Sequence, residues 1–336
     1  MLWYKENNSG TAQSTRIRLA RNIRNTPFPQ KLDDNEKREL TEKIKNAVMN
    51  GNSALAKNFS YIGMNEISEN EKLILCEKHL ISREMAASRN GGVITDKDEN
   101  ISIMIMEEDH IRIQIIKSGL CLDEAYGIAD KVDDVINESL GYAYDEEFGY
   151  LTSCPTNTGT GMRASVMLHL PALVMTGRID SIINSANQLG ITVRGLYGEG
   201  SKGAGALYQF SNRVTLGAGE TEICGKLGSI VNQIIDKEKA AREYIGKEMP
   251  NSLDDVVWRS YGILKYARSI SSDEAKKLLS DVKLGIDMGI INVSGINTAE
   301  LSVITEPGFI MSSAGNISPA ERDRKRSEII REALNK

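Results

Sequence analysis

The sequence predicts an α+β protein in two parts, a strand-and-helix part over residues 1–245 and a helical part over residues 246–336. Three observations carry this. Residues 101–106 (Ile-Ser-Ile-Met-Ile-Met) and 110–116 (His-Ile-Arg-Ile-Gln-Ile-Ile) are strand-like runs on either side of a three-residue corner. Long helical patterns follow at 123–140 and from about Glu220 to Ile245. A polar stretch at 246–252, with Pro250, then leads into a remainder that is mostly helical. Two domains also suit a chain of 336 residues.

Residues 34–50 read as a helix, because Leu40, Ile44 and Val48 recur on one face and Gly51 suits the position beyond its end. In the 110–116 run, strict alternation puts His110, Arg112 and Gln114 on one face and isoleucines on the other. The corner between the two runs is Glu107-Glu108-Asp109. The helix at 123–140 is closed by Gly141. Residues 150–153 suggest a short strand into the loop of Cys154, and a helix is expected from about Arg163, kinked or ended by Pro171. A further helix spans 178–189 and ends at Gly190, and strands at 193–197 and 206–214 flank a glycine-rich loop. Ser271-x-x-Glu274 and Ser318-Pro319-Ala320-Glu321 fit the capping box, and Pro319 suits the first helical position. No internal repeat or low-complexity tract interrupts the chain.

The bulk composition excludes several classes. Hydrophobic residues make up 40% and charged residues 26%, an ordinary balance for a globular protein that needs no disulfide or metal staple. The net charge of −5 argues against general nucleic-acid binding, which requires a basic surface. No apolar run approaches the roughly 18 residues of a membrane span. Met1-Leu2-Trp3-Tyr4-Lys5 runs into polar residues rather than a signal pattern, so a cytoplasmic protein is expected. Cys76, Cys121, Cys154 and Cys224 are far apart and form no Cys-x-x-Cys pair.

Five arginines stand beside turns rich in glycine, serine or carboxylates: Arg16, Arg18, Arg112, Arg163 and Arg194. In an extended segment Arg16 and Arg18 point the same way. Guanidinium forks match phosphate oxygens and stay charged at any working pH, so such a cluster can hold a triphosphate without a P-loop. No G-x-x-x-x-G-K-[ST] run is present. Two glycine motifs, at 198–203 and 159–164, invite a dinucleotide reading. The first precedes a strand and fails the context test, and the second precedes a helix but lacks an acid at a strand end. One carboxylate of the acidic corner, turned inward, would serve as a base for a group as basic as a guanidinium. Cys154 precedes a turn and an expected helix N-terminus, where a thiolate is favoured.

These pieces resemble the ATP:guanidino phosphotransferases, or phosphagen kinases, and within them the bacterial protein arginine kinase branch. The resemblance rests on Ser-Thr-Arg-Ile-Arg at 14–18, Glu-Lys-His-Leu-Ile-Ser at 77–82 and Glu-Glu-Asp-His-Ile-Arg at 107–112. It continues with Cys-Pro-Thr-Asn-Thr-Gly-Thr-Gly-Met-Arg-Ala-Ser-Val-Met at 154–167 and Arg-Gly-Leu-Tyr-Gly-Glu-Gly at 194–200. It implies a catalytic domain built on an antiparallel sheet flanked by helices, with ATP and Mg²⁺ as the nucleotide substrate and the metal held mainly by that nucleotide and water. By the same resemblance Ser14, Thr15, Arg16, Ile17, Arg18, His79 and Arg112 would line the nucleotide site. So would Arg163, Ala164, Ser165, Val166 and Met167, and Arg194, Gly195, Leu196, Tyr197, Gly198 and Glu199. Glu108 would be the base and Cys154 would contact the substrate guanidinium as a thiolate. Lys202 stands where small-molecule kinases have a second glutamate, which leaves that role to Glu199 or to a shifted loop register.

The branch is implied by features outside the cysteine motif. The chain begins 13 residues before its first nucleotide motif, whereas the small-molecule enzymes carry an additional N-terminal helical domain, and Tyr197 stands where those enzymes have another arginine. Arg322, Asp323, Arg324, Lys325, Arg326 and Ser327 resemble the branch's R-D-x-x-R-A signature, a regulatory phosphoarginine pocket. The resemblance implies phosphorylation of accessible arginines in proteins, marking for Clp-type proteolysis, action on a heat-shock repressor, a small zinc-binding activator protein as partner, and a homodimer. The rival activities are a kinase for free arginine or another small guanidino compound, and a weakly active phosphoarginine-binding regulator.

Overall fold

In the computed structural model the described residues are 2–6, 10–49, 58–195, 204–293 and 295–335. Among them, eight antiparallel strands form one sheet. In chain order the catalytic part runs β1 (Ala12–Arg21), α1 (Asp34–Met49), β2 (Phe59–Gly63), α2 (Glu69–Glu77), α3 (Arg83–Ala87), β3 (Gly92–Asp96), β4 (Ile101–Ile105), β5 (Ile111–Ser118) and α4 (Leu122–Leu140). It continues with the hairpin β6 (Tyr144–Asp145) and β7 (Gly149–Tyr150), then β8 (Met162–His169), α5 (Pro171–Met175), α6 (Ile179–Gln188), β9 (Ile191–Gly195), β10 (Leu207–Asn212) and α7 (Glu220–Glu248). The helical part is α8 (Pro250–Tyr266), α9 (Ser272–Asp287), α10 (Thr298–Ile304), α11 (Pro307–Ala314) and α12 (Pro319–Leu334). The sheet order is β2-β3-β4-β5-β1-β8-β10-β9.

Alternation along the strands divides the sheet into two faces. Ile17, Leu19, Ile111, Ile113, Ile115, Ala164, Val166, Leu168 and Phe210 form the core face, which packs against α4 and α7. The register puts Arg18 between Gln114 on β5 and Arg163 on β8, and Ala20 opposite Arg112. Met167 pairs with Gln209, which pairs with Arg194. Arg16, Arg18, Arg112, Arg163 and Arg194 therefore share the other face.

The expected helix from Arg163 is instead the central strand β8, and Pro171 opens α5 at its first turn rather than ending a helix. The dinucleotide motif at 159–164 thereby loses the helix it needed. Of residues 150–153 only Tyr150 is in a strand, paired with Tyr144 in a hairpin that the sequence does not announce. The helix at 34–50 is observed as α1, and Gly51 lies outside the described residues. Gly141, at φ 68°, closes α4 as expected. Ser318 and Glu321 complete their capping box, whereas Ser271 accepts from the Glu274 amide with no reciprocal bond.

At residues 246–252 two helices meet, with Met249 between α7 and α8 and Pro250 opening the second. The main core runs across this joint to include Leu253, Val257, Leu284 and Ile291. A second cluster, with Leu264, Ile270, Leu279, Val282 and Ile330, lies among α8, α9 and α12. No described helix is long and apolar enough to cross a membrane.

Candidate active site

Arginines on adjacent central strands repel one another unless an anion lies among them. Burial lowers the pKa of the Arg18 guanidinium, and the charges of Arg16, Arg163 and Arg112 lower it further against the pull of Glu107. Burial, then Arg194 and Arg112, lower that of Arg163. Arg163 Nη2 donates to Ser211 Oγ at 3.0 Å. The buried Nε atoms of Arg18 and Arg163 have no hydrogen-bond partner among the described residues. Buried donors without acceptors are costly, and here they are donors suited to an anion.

The acidic corner closes the β4–β5 turn, with Met106 in the left-handed region at φ 60°. Its carboxylates are used differently. Glu107 accepts from Ser82 Oγ and lies 2.5 Å from Arg112 Nη1, almost wholly buried. Glu108 lies 2.9 Å from Arg112 Nη2, and its side chain is 40% exposed. Its pKa is raised by burial and by the charges of Asp109 and Glu107, while Arg112 pulls it down. Asp109 is fully buried and accepts from Asn22 Nδ2 and from the Ser153 amide, both at 2.7 Å.

Cys154 caps a three-residue 3₁₀ turn, Pro155–Asn157, rather than the expected helix, so the helix-dipole argument for a thiolate does not apply. Its Sγ lies 3.0 Å from Thr156 Oγ1. The loop is held by Thr215 Oγ1, which donates to the carbonyls of Thr156 at 3.0 Å and Thr158 at 2.7 Å. Gly159, at φ 116°, is required here, since a Cβ would meet the Thr215 carbonyl oxygen at 2.2 Å. The glycines of this motif serve backbone packing.

Arg18, Arg112, Arg163, Glu107, Glu108 and Cys154 line one cleft of about 800 Å³. Guanidinium donors, a carboxylate with a raised pKa and a thiol thus share one cavity. Among the described residues no three His, Cys, Asp or Glu side chains are grouped to hold a metal ion.

Alternation limits which expected residues reach this face. Thr15, Ile17, Ala164 and Val166 turn their side chains to the core, and Thr15 Oγ1 bonds the carbonyl of Gly119. Ser14, Ser165 and Met167 are buried on the arginine face. Arg16, Arg194 and His79 are not among the residues lining the cleft, and His79 lies beside Arg16, its carbonyl accepting from Gln114 Nε2 at 2.7 Å. Its ring lies 5.4 Å from that of Trp3, and burial, then Arg16 and Lys276, push its pKa down to about 3. Gly195 ends β9, and Leu196, Tyr197, Gly198, Glu199 and Lys202 lie outside the described residues.

The tail signature lies on α12, away from the cleft. Arg326 is buried and donates to the carbonyls of Thr305 and Ile270, both at 2.9 Å, and to Asp323 at 2.5 Å. Ser327 is buried and donates to the Arg324 carbonyl. These two hold the fold, which leaves Arg322, Arg324 and Lys325 as the more accessible cations of the segment; Lys325 pairs with Glu328. Sequence reasoning missed Ser82, Asn22, Ser211 and Gln30, whose Nε2 donates to the Glu108 carbonyl at 2.8 Å. Only Ser82 carried a signal, as the last residue of the quoted 77–82 segment.

Two family models match the chain. One is described as ATP:guanido phosphotransferase, C-terminal catalytic domain, over residues 39–241. The other is described as Protein-arginine kinase McsB C-terminal domain, over residues 250–336. A protein-arginine kinase of Brevibacillus brevis is 50% identical over 326 residues, covering 96% of this chain and 91% of that one. One from Caldanaerobacter subterraneus subsp. tengcongensis is 44% identical over 325 residues, covering 96% of each. Among solved structures, lombricine kinase is similar with a TM-score of 0.62 at 25% identity, over 74% of this chain and 72% of that one. The duplicated taurocyamine kinase from Schistosoma mansoni, with bound transition state analog components, is similar with a TM-score of 0.62 at 25% identity. The match covers 78% of this chain and 38% of that longer one.

Proposed function

The chain belongs to the ATP:guanido phosphotransferase family, and on that premise we propose that it transfers the γ-phosphoryl group of ATP to the guanidinium of arginine residues in proteins. The observation that carries the reading is the shared sheet face of Arg16, Arg18, Arg112, Arg163 and Arg194, of which Arg18, Arg112 and Arg163 line a cleft that also holds Glu108 and Cys154. The C-terminal family match over residues 250–336 supports protein arginine over a free guanidino compound as acceptor.

The residues divide the chemistry as follows. Arg18, Arg112 and Arg163 hold the nucleotide phosphates, and Mg²⁺ enters as part of the nucleotide substrate. A protonated guanidinium is no nucleophile, and its pKa exceeds about 12. Glu108 accepts its proton as the nitrogen–phosphorus bond forms and the bond to the ADP oxygen breaks. Desolvation of Glu108 makes it a better proton acceptor than a solvated carboxylate. Charge on the three γ-oxygens meets arginines fixed beforehand by the sheet, so little reorganisation is needed in the transition state. Cys154 contacts the guanidinium from the loop side.

Clp-type proteolysis of the products, control of a heat-shock repressor, a zinc-binding activator, homodimerisation and a cytoplasmic setting belong to the same proposal, on resemblance to the family branch. The test is incubation with Mg-ATP and either casein or free arginine, read by mass spectrometry under non-acidic conditions. Phosphoarginine in casein is expected. Acid-labile phosphate on free arginine alone would overturn the protein substrate.

A further inference from the structure

We infer that Asp109 is a positioning residue that sets the distance between the base and the thiol by holding the cysteine loop against the acidic corner. It follows Glu108 in sequence, and the amide it binds belongs to Ser153, the residue before Cys154. One carboxylate oxygen, Asp109 Oδ1, accepts from the Ser153 amide and from Asn22 Nδ2 at 2.7 Å each. That atom is the direct hydrogen-bonded link between the two chain segments whose side chains must meet one guanidinium.

The link is part of a closed latch. Asn22 Nδ2 also donates to the Leu151 carbonyl at 3.0 Å, and Asn22 Oδ1 accepts from the His110 amide at 2.9 Å. His110 Nδ1 accepts from the Ile23 amide at 3.0 Å, and its Nε2 donates to the Pro27 carbonyl at 2.9 Å. Both ring nitrogens are therefore committed in the neutral tautomer, and burial lowers the His110 pKa in agreement. The end of β1, the corner and residues 151–153 are thus tied together by three fully or nearly fully buried side chains.

Stability alone does not explain a carboxylate here. Asp109 Oδ2 is buried with no hydrogen-bond partner among the described residues, and so is Ser153 Oγ. An asparagine at 109 would keep both bonds of Oδ1, from the Ser153 amide and from Asn22 Nδ2, with no ion to desolvate. What an asparagine lacks is charge. The charges that act on Glu108 are those of Arg112, Glu107 and Asp109, and the Asp109 charge raises its pKa. Arg18, Arg163 and the Cys154 thiol line the same cleft.

The inference rests on the phosphotransfer reading in assigning Glu108 and Cys154 to one guanidinium, so its test includes a readout independent of that reading. D109A and D109N would be compared with the wild-type chain. D109A removes the tether, and kcat is expected to fall ~10²-fold, the scale of an ångström-sized misplacement. KM for Mg-ATP should stay within about twofold, because the arginine face is untouched. D109N keeps the tether and should recover kcat to within about tenfold of wild type, with the acid limb of its pH profile moved to lower pH. Independently, the rate of Cys154 alkylation by iodoacetamide, located by peptide mass spectrometry, should change in D109A and return in D109N. If wild type phosphorylates no acceptor, the alkylation comparison alone still decides. Unchanged Cys154 alkylation and unchanged kcat in a folded D109A would overturn the role. So would a D109N that loses activity in step with D109A while its pH profile stays fixed. Should D109A fail to fold, D109S, whose side chain is too short to reach the Ser153 amide, is read by the same kcat and Cys154 alkylation comparison.

Discussion

Glu108 and Arg112, four residues apart across the β4–β5 corner, meet at 2.9 Å, while Arg112 is also paired at 2.5 Å with the buried Glu107. The arrangement separates two carboxylates by task. Glu107 neutralises and fixes the arginine, and Glu108 keeps one side toward the cleft. Its pKa lies above the ordinary glutamate range because burial and its acidic neighbours outweigh Arg112. Glu108→Gln is expected to reduce turnover by at least ~10²-fold while Mg-ATP binding persists. In wild type the acid limb of kcat should fall at a pH above that of a free glutamate, since the base must be ionised. Near-normal turnover of the variant would remove Glu108 from this role.

Arg18 offers a second test, because its effect on stability should reverse with ligand. In the free protein its charge is opposed by Arg16, Arg163 and Arg112. On the proposed reading, bound nucleotide would place phosphate against the same cluster. Arg18→Ala should therefore cost little stability without nucleotide, yet weaken Mg-ATP by about tenfold or more, the scale of one charge-assisted hydrogen bond. Thermal shifts with and without Mg-ATP check this. An equal loss in both conditions would assign Arg18 to the fold instead.

The same two features mark what the sequence revealed and what it hid. Arg16, Arg18 and Arg112 were legible because period-two spacing survives in β1 and β5, whose buried residues alternate with arginines. Arg163 was legible as a residue but not as a strand position. β8 runs between β1 and β10 and is covered on both faces, so Ala164, Ser165, Val166, Met167 and Leu168 form an unbroken buried run without alternation. Pro171, which opens α5, then read as the end of a false helix. Alternation also separates Arg16 and Arg18 from Thr15 and Ile17, a distinction that a motif quoted as one block cannot make. Asp109 and Asn22 were hidden for another reason, since they meet across 87 positions of sequence.

The buried pair of Arg21 and Asp133 ties the end of β1 to α4 and to Thr160. Arg21 Nε and Nη2 reach Asp133 at 2.9 and 2.7 Å, its Nη1 donates to the carbonyls of Ala20 and Thr160, and its guanidinium lies 3.5 Å over the Tyr150 ring. Asp133→Ala leaves the arginine charge buried without its partner, a loss on the order of 3–5 kcal/mol. Chemical denaturation should show it as a lowered midpoint. A loss below about 1 kcal/mol would mean that Arg21 finds water in the variant.

Glu77 makes a contact between the two parts of the chain that should depend on pH. It ends α2, two residues before His79, and accepts from the amides of Gly308 at 2.8 Å and Phe309 at 3.2 Å at the start of α11. Gly308 admits this approach, because a Cβ there would lie 2.7 Å from Glu77 Oε2. Burial raises the Glu77 pKa to about 7, and Glu306 adds to it, against the two amides and Lys276. The folded value is above the unfolded one of roughly 4.3, so the folded state holds the proton longer. The contribution is complete below the unfolded pKa and is lost as pH rises through about 7. Glu77→Gln lacks this titration. The melting temperature of wild type relative to the variant should therefore fall between pH about 4.3 and about 7 and level off above. A difference that stays constant across that window, or grows with pH, would show that the two amides of α11 outweigh burial at this carboxylate.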